Sequence, residues 1–262
     1  MKPKNCLIFG ASGQIGRNLI RKLTKNNYKV TAVTRNLHQK GYVLKTQANP
    51  GYIDIVQTSI FDEVKIRKLM KETDICINLI GILYEKNKTN SFINIHEKFP
   101  FFLANLCNEY KIEQLIHLSA MGIEKAKDSF YAQSKLNGEI NIEKNFSRSV
   151  ILKPSIVYSV DDSFTTNFMT LLNRIPIFPL YYNGKTKFMP IYCSDLTEII
   201  YQVISQNIRP GKIECIGNET LTLKEILQKL LKLIGKKRLL FSMPMFLAKF
   251  TAFFFQLFSR PL

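Results

Sequence analysis

The stretch that decides the fold is Cys6-Leu-Ile-Phe9-Gly10-Ala-Ser-Gly13-Gln-Ile-Gly16, followed by an amphipathic pattern that continues to Lys25. A short apolar run, a glycine-rich turn and an amphipathic segment predict a buried parallel strand, a tight loop and a helix. Glycines in such a loop let backbone N–H groups approach a pyrophosphate at the helix N-terminus. Because the motif stands at the first strand–helix junction, it favours nucleotide binding over a purely structural turn.

Strand and helix patterns alternate through the first half of the chain. This alternation predicts an α/β fold with a Rossmann-type, doubly wound parallel sheet. The predicted strands are residues 6–9, 30–33, 53–56, 75–80, 115–118 and 150–152, and the predicted helices are residues 15–25, 64–70, 99–110 and 131–144.

Two domains are expected. Residues 1–158 form the nucleotide-binding domain, and residues 159–262 form a small irregular C-terminal lobe. Residues 160–192 are rich in Pro, Tyr and Phe and are expected to be irregular. Beyond them we expect helices at 196–204 and 223–234, and between these a strand at 213–216 that returns to the sheet.

Composition indicates a soluble globular protein, because 46% of the 262 residues are hydrophobic and 22% are charged. That balance excludes disordered, collagen-like and disulfide-scaffold proteins. The formal charge of +17 gathers at the two ends: residues 1–53 hold ten basic residues and no acid, and residues 221–262 hold eight basic residues and one acid. Such a distribution calls for two local explanations and gives no reason to expect nucleic-acid binding.

The five cysteines and three histidines suit a reducing compartment. No C-x-x-C or H-x-x-x-H pattern occurs, so we expect buried thiols and no metal site. The first apolar run begins at Asn5, so no targeting segment is expected ahead of it. A bacterial cytoplasmic location is the simplest prediction.

The cofactor is predicted from the end of the second strand. NAD binding usually needs an acid about 20 residues after the glycine loop, for the ribose 2′-OH. The first acid of this chain is Asp54, whereas the second strand ends in Thr34-Arg35. A guanidinium there suits a 2′-phosphate, and Arg17 stands close behind the glycines. We therefore expect NADPH (NADP) in preference to NADH (NAD), the alternative for Arg35 being a solvated surface charge.

The spacing G-x-x-G-x-x-G resembles that of the short-chain dehydrogenase/reductase superfamily. A closer resemblance rests on Ile77-Asn-Leu-Ile-Gly81-Ile-Leu, His117-Leu-Ser-Ala-Met-Gly122, Lys153-Pro-Ser-Ile-Val-Tyr158 and the stretch from Gly184 to Asp195, which occur in this order. Together they resemble atypical short-chain dehydrogenases related to the nucleotide-binding accessory subunit of respiratory complex I (NADH:ubiquinone oxidoreductase) and its bacterial homologues. This resemblance implies an NADPH that is structural, and an association with complex I or with ubiquinone metabolism.

The superfamily also implies a catalytic group. Tyr131-Ala-Gln-Ser-Lys135 matches Y-x-x-x-K at the start of a predicted helix, and Ser119 follows a predicted strand. Lys135 would lower the pKa of Tyr131, Ser119 would hold the substrate oxygen, and Asn94 would complete a proton relay. The pattern alone is weak, since two other Tyr–Lys pairs fit it. The alternative is that Tyr131 and Lys135 serve only as cofactor contacts.

The expected cofactor contacts, by the same resemblance, lie at the ends of five predicted strands and at the start of one helix. They are Gly10, Ser12, Gly13, Gln14, Ile15, Gly16, Arg17, Thr34, Arg35, Ser59, Ile60, Leu79, Ile80, Gly81, Tyr131, Lys135, Pro154 and Ile156.

The apolar basic tail, residues 236–262, begins Lys236-Lys237-Arg238 and continues into a phenylalanine-rich run. Polar residues interrupt that run, so it does not predict a transmembrane helix. A short helix from about Pro244 fits an anionic membrane surface or a groove on a partner. Packing against the protein's own sheet is the alternative.

Three functions remain open. The first is a nucleotide-binding protein of respiratory complex I or a quinone-biosynthesis assembly. It would lie at the cytoplasmic face of the bacterial inner membrane or, in an organelle, on the matrix side of the mitochondrial membrane. The second is an active NADP-dependent reductase or epimerase acting on a carbonyl or a nucleotide sugar. The third, an RNA-binding member of the superfamily, has no supporting arginine-rich stretch.

Overall fold

The computed structural model describes residues 3–243, and its central feature is a parallel sheet of seven strands. With strands numbered along the chain, their order is β11-β6-β5-β4-β1-β2-β3. Successive strands therefore extend to opposite sides of β1, as the predicted doubly wound sheet requires, and that prediction is confirmed. The seven are β1 (Asn5–Phe9), β2 (Lys29–Thr34), β3 (Ile53–Gln57), β4 (Ile75–Asn78), β5 (Gln114–Leu118), β6 (Ser149–Pro154) and β11 (Gly211–Cys215).

Helices connect these strands, and several begin at a side chain that caps the first turn. Asn36, Asp62 and Ser129 each accept a hydrogen bond from the backbone N–H three residues later. The helices of this part of the chain are α1 (Gln14–Lys25), α2 (Leu37–Lys45), α3 (Glu63–Met70), α4 (Phe99–Glu109), α5 (Phe130–Asn145) and α7 (Cys193–Ser205), with a π-helical turn at Ile93–Lys98 before α4.

The chain forms two compact units, and the described part of the first comprises residues up to Pro154 together with Cys193–Cys215. The first unit thus includes α7, which the sequence prediction assigned to the C-terminal lobe. Within this unit α7 packs on α1: Lys22 forms an ion pair with Glu198, and its ammonium lies 4.7 Å from the centre of the Tyr201 ring.

The core of the first unit lies between the sheet and its helices. Leu7 and Phe9 of β1 are fully buried, and the Phe9 ring meets Phe99 edge to face at 5.2 Å. Burial of such side chains stabilises the fold by about 1.5–3 kcal/mol each. The core therefore fixes β1, and with it the glycine loop that follows.

The second unit comprises Ser155–Tyr192 and the chain from Ile216 onward. Its described core gathers around Leu172, Leu180 and Leu227, which are buried. Its helices are α6 (Ser163–Arg174) and α8 (Leu223–Leu233), and its paired strands are β7 (Val157–Tyr158) with β10 (Ile191–Tyr192), β8 (Ile177–Leu180) with β13 (Leu239–Ser242), and β9 (Lys187–Phe188) with β12 (Leu221–Thr222).

The prediction that residues 160–192 are irregular is wrong for the twelve residues of α6. The Asp162 carboxylate accepts from the Thr165 N–H at 2.7 Å and starts the helix. No proline interrupts it, because the first one after the cap is Pro176. The prolines thus end the helix and do not prevent it.

The tail prediction falls partly outside the structure. Leu239–Ser242, the start of the apolar run, forms β13, and the expected helix from about Pro244 lies outside the described residues. Across residues 3–243, no helix has both the length and the apolar character needed to cross a bilayer. Over the same residues, no cluster of three or more His, Cys, Asp or Glu side chains could hold a metal ion.

Candidate functional site

The glycine loop leaves the N-terminus of α1 open. Gly13 caps the helix without a side chain, and the first turn contains no acid. The first N–H groups of a helix have no intrahelical acceptor, and the helix dipole favours an anion beside them. In addition, Nε2 of Gln14 is buried without a hydrogen-bond partner among the described residues. The start of α1 therefore offers donors that a pyrophosphate would satisfy.

Two glycines of the loop are required by close backbone approach. A Cβ on Gly16 would lie 2.5 Å from the carbonyl oxygens of both Gly10 and Ala11. Gly10 has φ +82°, and a Cβ there would meet the Leu79 backbone at 3.1 Å. The Leu79 N–H also donates to the Phe9 carbonyl at 3.0 Å. The loops after β1 and β4 thus meet at the carboxyl edge of the sheet, where the strand order reverses.

The end of β2 presents Arg35 to solvent. Its guanidinium makes no hydrogen bond or ion pair with another described residue. Thr34 is buried and accepts from the Asn36 N–H at 3.4 Å, which fixes the turn. Arg17, in contrast, donates to the Ser12 carbonyl at 2.6 Å and holds the glycine loop. Arg35 is therefore the residue whose charge stands ready for an anionic group.

Tyr131 and Lys135 lie on one face of α5. Lys135 is buried, donates from Nζ to the Leu118 carbonyl at 3.0 Å, and would lie 3.2 Å from a Cβ on Gly81. Burial lowers the pKa of Lys135 to about 8, against the opposing effect of the Glu139 charge. Lys135 thus binds the end of β5 and lies beside the loop after β4.

The pKa of Tyr131 differs from the expectation. Burial raises it, whereas the sequence led us to expect that Lys135 would lower it. The Tyr131 ring packs edge to face on His96 at 5.4 Å and on Phe92 at 5.9 Å. These rings remove water from around the phenol and disfavour its charged form.

His96 is held as a neutral imidazole. Nε2 accepts from the Ile82 N–H at 3.0 Å, so the proton lies on Nδ1 and is donated to Ser134 Oγ at 2.9 Å. Ser134 in turn donates to the Tyr131 carbonyl at 2.8 Å. Burial, reinforced by the charge of Lys135, lowers the pKa of His96 to about 3. The histidine therefore ties the loop after β4 to the start of α5.

A second buried histidine lies under the same edge. The Asn78 amide donates to Nδ1 of His117 at 3.1 Å, and its oxygen accepts from the Ile80 N–H at 3.1 Å. The proton of His117 therefore lies on Nε2, which is buried with no partner among residues 3–243. Burial, followed by the charges of Lys135 and His96, lowers the pKa of His117 well below its ordinary value.

Ser119 does not face the site as an available donor. Its hydroxyl is buried and donates to Oε1 of Glu139, on α5, at 2.5 Å. Asn94 is also committed elsewhere, since its amide donates to the carbonyls of Lys88 and Thr89 at 3.0 Å each. The structure thus brings Tyr131 and Lys135 to the site edge, and gives the other two predicted catalytic side chains different partners.

The remaining predicted contacts occupy several places. Ile60 is a core residue, and Ser59 is exposed beside it. Ile80 packs against the same core from the loop after β4. Pro154 ends β6 in the first unit, whereas Ile156 belongs to the second unit.

Sequence reasoning missed His96, His117, Asn78 and Glu139. Only Glu139 carried a usable signal, because it stands four residues after Lys135 and so shares its helix face. The two histidines gave none, since a lone histidine next to apolar residues does not reveal its partners.

The side chains present fit a nicotinamide dinucleotide. The glycine loop is a cradle that a Cβ would fill, Gln14 supplies an unsatisfied donor, and Arg35 an uncommitted cation. When bound, such a nucleotide supplies hydride chemistry. The chain's own part would be to hold the phosphates at the start of α1 and the ribose hydroxyls near Lys135.

Comparison with curated proteins confirms the resemblance to complex I accessory subunits. The chain is 27% identical over 226 residues to NADH dehydrogenase (ubiquinone) 1 alpha subcomplex subunit 9 of Dictyostelium discoideum, covering 86% of this chain and 62% of that protein. It is 23% identical over 233 residues to the NADH-ubiquinone oxidoreductase 40 kDa subunit of Neurospora crassa, covering 88% of this chain and 60% of that protein. The chain therefore spans less than two thirds of these relatives' length.

Solved structures share the fold at low identity. A UDP-glucuronic acid 4-epimerase from Bacillus cereus in complex with NAD has a TM-score of 0.78 and 20% identity, covering 91% of this chain and 87% of that one. A dTDP-4-dehydrorhamnose reductase from Bacillus anthracis in complex with NADP has a TM-score of 0.72 and 14% identity, covering 93% of this chain and 85% of that one. One of these neighbours holds NAD and the other NADP, so the shared fold does not distinguish NADPH from NADH.

The glycine loop, the carboxyl-edge site and the doubly wound sheet all fall within the segment that matches a family model, residues 6–217. The chain therefore belongs to the NAD dependent epimerase/dehydratase family.

Proposed function

We propose that this chain binds NADPH as a structural component and associates with respiratory complex I. The observation that carries the proposal is the pairing of an open α1 N-terminus with Arg35, in a segment without an acid before Asp54. A free guanidinium at the end of β2 suits a 2′-phosphate better than a ribose hydroxyl. The names of the relatives, which are complex I subunits, supply the partner.

The finer parts of the proposal concern location and the tail. We assign nucleotide binding to the first compact unit, and contact with a membrane surface or a large partner to residues 236–262. The protein would lie at the cytoplasmic face of a bacterial inner membrane, or on the matrix side in a mitochondrion. A quinone-biosynthesis assembly is the second partner that the proposal admits.

The test is mass spectrometry of the nucleotide retained by the native protein, with blue-native electrophoresis of the membrane fraction. We expect NADP(H) in the protein, and migration with a large respiratory assembly. Retained NAD(H) would contradict the cofactor part. Recovery of all the protein at about its monomer mass would contradict the partner part.

A second function, that of an active NADP-dependent reductase, is favoured by Tyr131 and Lys135, which share one face of α5 at the site edge. In this function Tyr131 would transfer the proton while Lys135 holds the ribose. Tyr131→Phe should then abolish NADPH oxidation on a carbonyl substrate while nucleotide binding persists. Equal turnover by wild type and Tyr131→Phe would contradict it.

A further inference from the structure

A buried acid lies behind the candidate site. Glu139 follows Lys135 by one helical turn on α5, and its side chain is fully buried. Its Oε1 lies 2.5 Å from Ser119 Oγ and 3.4 Å from Lys153 Nζ, and its Oε2 lies 3.0 Å from Lys212 Nζ. One carboxyl group thus meets a hydroxyl and two ammonium groups.

The groups around Glu139 are ones that pair with a carboxylate. A buried charge without partners is strongly destabilising, whereas ammonium groups at hydrogen-bond distance compensate it. The two lysines are held by other acids as well: Lys153 forms an ion pair with Glu124, and Lys212 lies 3.2 Å from Glu143. Both lysines form ion pairs with Glu139, and Oε2 accepts no hydrogen bond from a described residue. Two ammonium groups and a hydroxyl around one carboxyl group are matched by a carboxylate, which only accepts.

The carboxylate decides where the Ser119 proton points. A serine hydroxyl has one proton, and an ionised carboxylate has none to give. The proton between Ser119 and Glu139 therefore belongs to Ser119. The hydrogen bond from Ser119 to Glu139 is charge-assisted, and such hydroxyl–carboxylate bonds are stronger than those between neutral groups.

The consequence is chemical selectivity at Ser119. A substrate carbonyl oxygen can only accept a hydrogen bond, so Ser119 cannot donate to it while the bond to Glu139 stands. The lone pairs that remain on Ser119 suit a ligand hydroxyl or amide N–H. Ser119 directly follows Leu118, whose carbonyl accepts from Lys135, so Ser119 stands one residue along the chain from the Lys135 contact.

We propose that Glu139 is a positioning residue that fixes Ser119 as a hydrogen-bond acceptor, so that the site takes a hydroxyl or amide N–H there and not a carbonyl. The claim that this preference acts on a substrate rests on the proposed nucleotide function. The hydrogen bond between Ser119 and Glu139 does not depend on that function, and the hydrogen bond and the function are tested separately.

Glu139→Gln is the deciding variant. With its amide oxygen in the Oε2 position toward Lys212, its NH₂ would take the Oε1 position, donate to Ser119 and free the serine proton. Glu143→Gln is the matched control, because Glu143 also pairs with Lys212, lies one turn further along α5, and has no hydrogen bond to Ser119.

The first measurement is proton NMR of the full chain. A hydroxyl that donates to a buried carboxylate should give a slowly exchanging resonance downfield of the amides. We expect it in wild type and Glu143→Gln, and we expect its loss in Glu139→Gln and in Ser119→Ala. Absence from wild type, or persistence in Glu139→Gln, would overturn the proposal.

The second measurement is NADPH oxidation with 9,10-phenanthrenequinone, a carbonyl probe, after NADPH binding has been established by fluorescence titration. Freeing the Ser119 proton adds one hydrogen bond to the carbonyl, so Glu139→Gln should exceed wild type by about tenfold. Adding Ser119→Ala to Glu139→Gln should remove the gain. Equal rates in wild type and Glu139→Gln overturn the proposal, whereas a failed NADPH titration counts against the proposed function alone.

Discussion

The buried His96 makes the stability of this protein depend on pH. Its imidazole is neutral because Nε2 accepts from a backbone N–H, and burial holds its pKa at about 3, against an ordinary value of 6.5. The unfolded chain therefore takes up a proton at His96 below pH 6.5, and the folded chain does not until about pH 3. More protons on the unfolded state mean that stability falls as the pH falls through this window.

The magnitude follows from linkage. Each pH unit below 6.5 lowers the unfolding free energy by about 1.4 kcal/mol through His96. At pH 5 the unfolding free energy is therefore lower by about 2 kcal/mol than at neutral pH, from this histidine alone. His117 adds a dependence of the same sign, because burial lowers its pKa too. Replacing His96 should thus reduce the wild-type pH dependence without removing it.

The assay is urea unfolding of the full chain near pH 7 and near pH 5, with wild type, His96→Gln and His38→Gln. The glutamine variant is expected to be less stable at neutral pH and to lose about 2 kcal/mol less on acidification than wild type. His38 is exposed on α2, so His38→Gln should follow wild type. Equal losses in wild type and His96→Gln would refute the tautomer and the burial argument together.

Three further predictions concern residues of the candidate site, two of them nucleotide binding and one stability. Gly16→Ala should abolish binding in a fluorescence titration, because the methyl would lie 2.5 Å from two carbonyl oxygens of the loop; Gly41→Ala, whose methyl meets only the end of a leucine side chain, should bind normally. Arg35→Asp should weaken NADPH more than NADH in the same titration, since a carboxylate repels a 2′-phosphate and accepts from a ribose hydroxyl. Tyr131→Phe should change the unfolding free energy by less than about 0.5 kcal/mol, because the phenol hydroxyl has no hydrogen-bond partner among residues 3–243.

Each of these has a contradicting result. Normal binding by Gly16→Ala would mean that the loop does not contact the phosphates as proposed. Equal losses of NADPH and NADH affinity in Arg35→Asp would refute the 2′-phosphate assignment. A large destabilisation by Tyr131→Phe would indicate that the hydroxyl is bonded in solution.

The first half of the fold could be predicted because its signals are local. Continuous apolar runs mark β1 and its neighbours, and glycine spacing marks the turn into α1. Helix α2 escaped prediction because only Gly41 and Leu44 are buried, too few for a helical period. Helix α6 escaped because nearby prolines suggested irregular chain, although they follow the helix and do not interrupt it.

The site was harder to predict than the fold, because its partners come from distant parts of the chain. The sequence indicates that Ser119 and Tyr131 could be neighbours, yet it carries no sign that Glu139 takes the serine proton. Nor does it indicate that the Ile82 N–H fixes the His96 tautomer. Hydrogen-bond direction depends on which buried groups meet, and a spacing pattern gives only which residues share a face.

Nucleotide binding and hydride transfer need different groups at this site, and the structure supplies those for binding more fully than those for hydride transfer. Binding needs open donors at α1 and a lysine beside the loop after β4, and both are present. Reduction of a carbonyl also needs a hydroxyl free to donate and a tyrosine whose pKa is close to neutral. Here Ser119 donates to Glu139, and burial raises the pKa of Tyr131. The arrangement therefore favours a nucleotide that is retained over one that turns over, and Glu139→Gln tests the part of the difference that Ser119 makes.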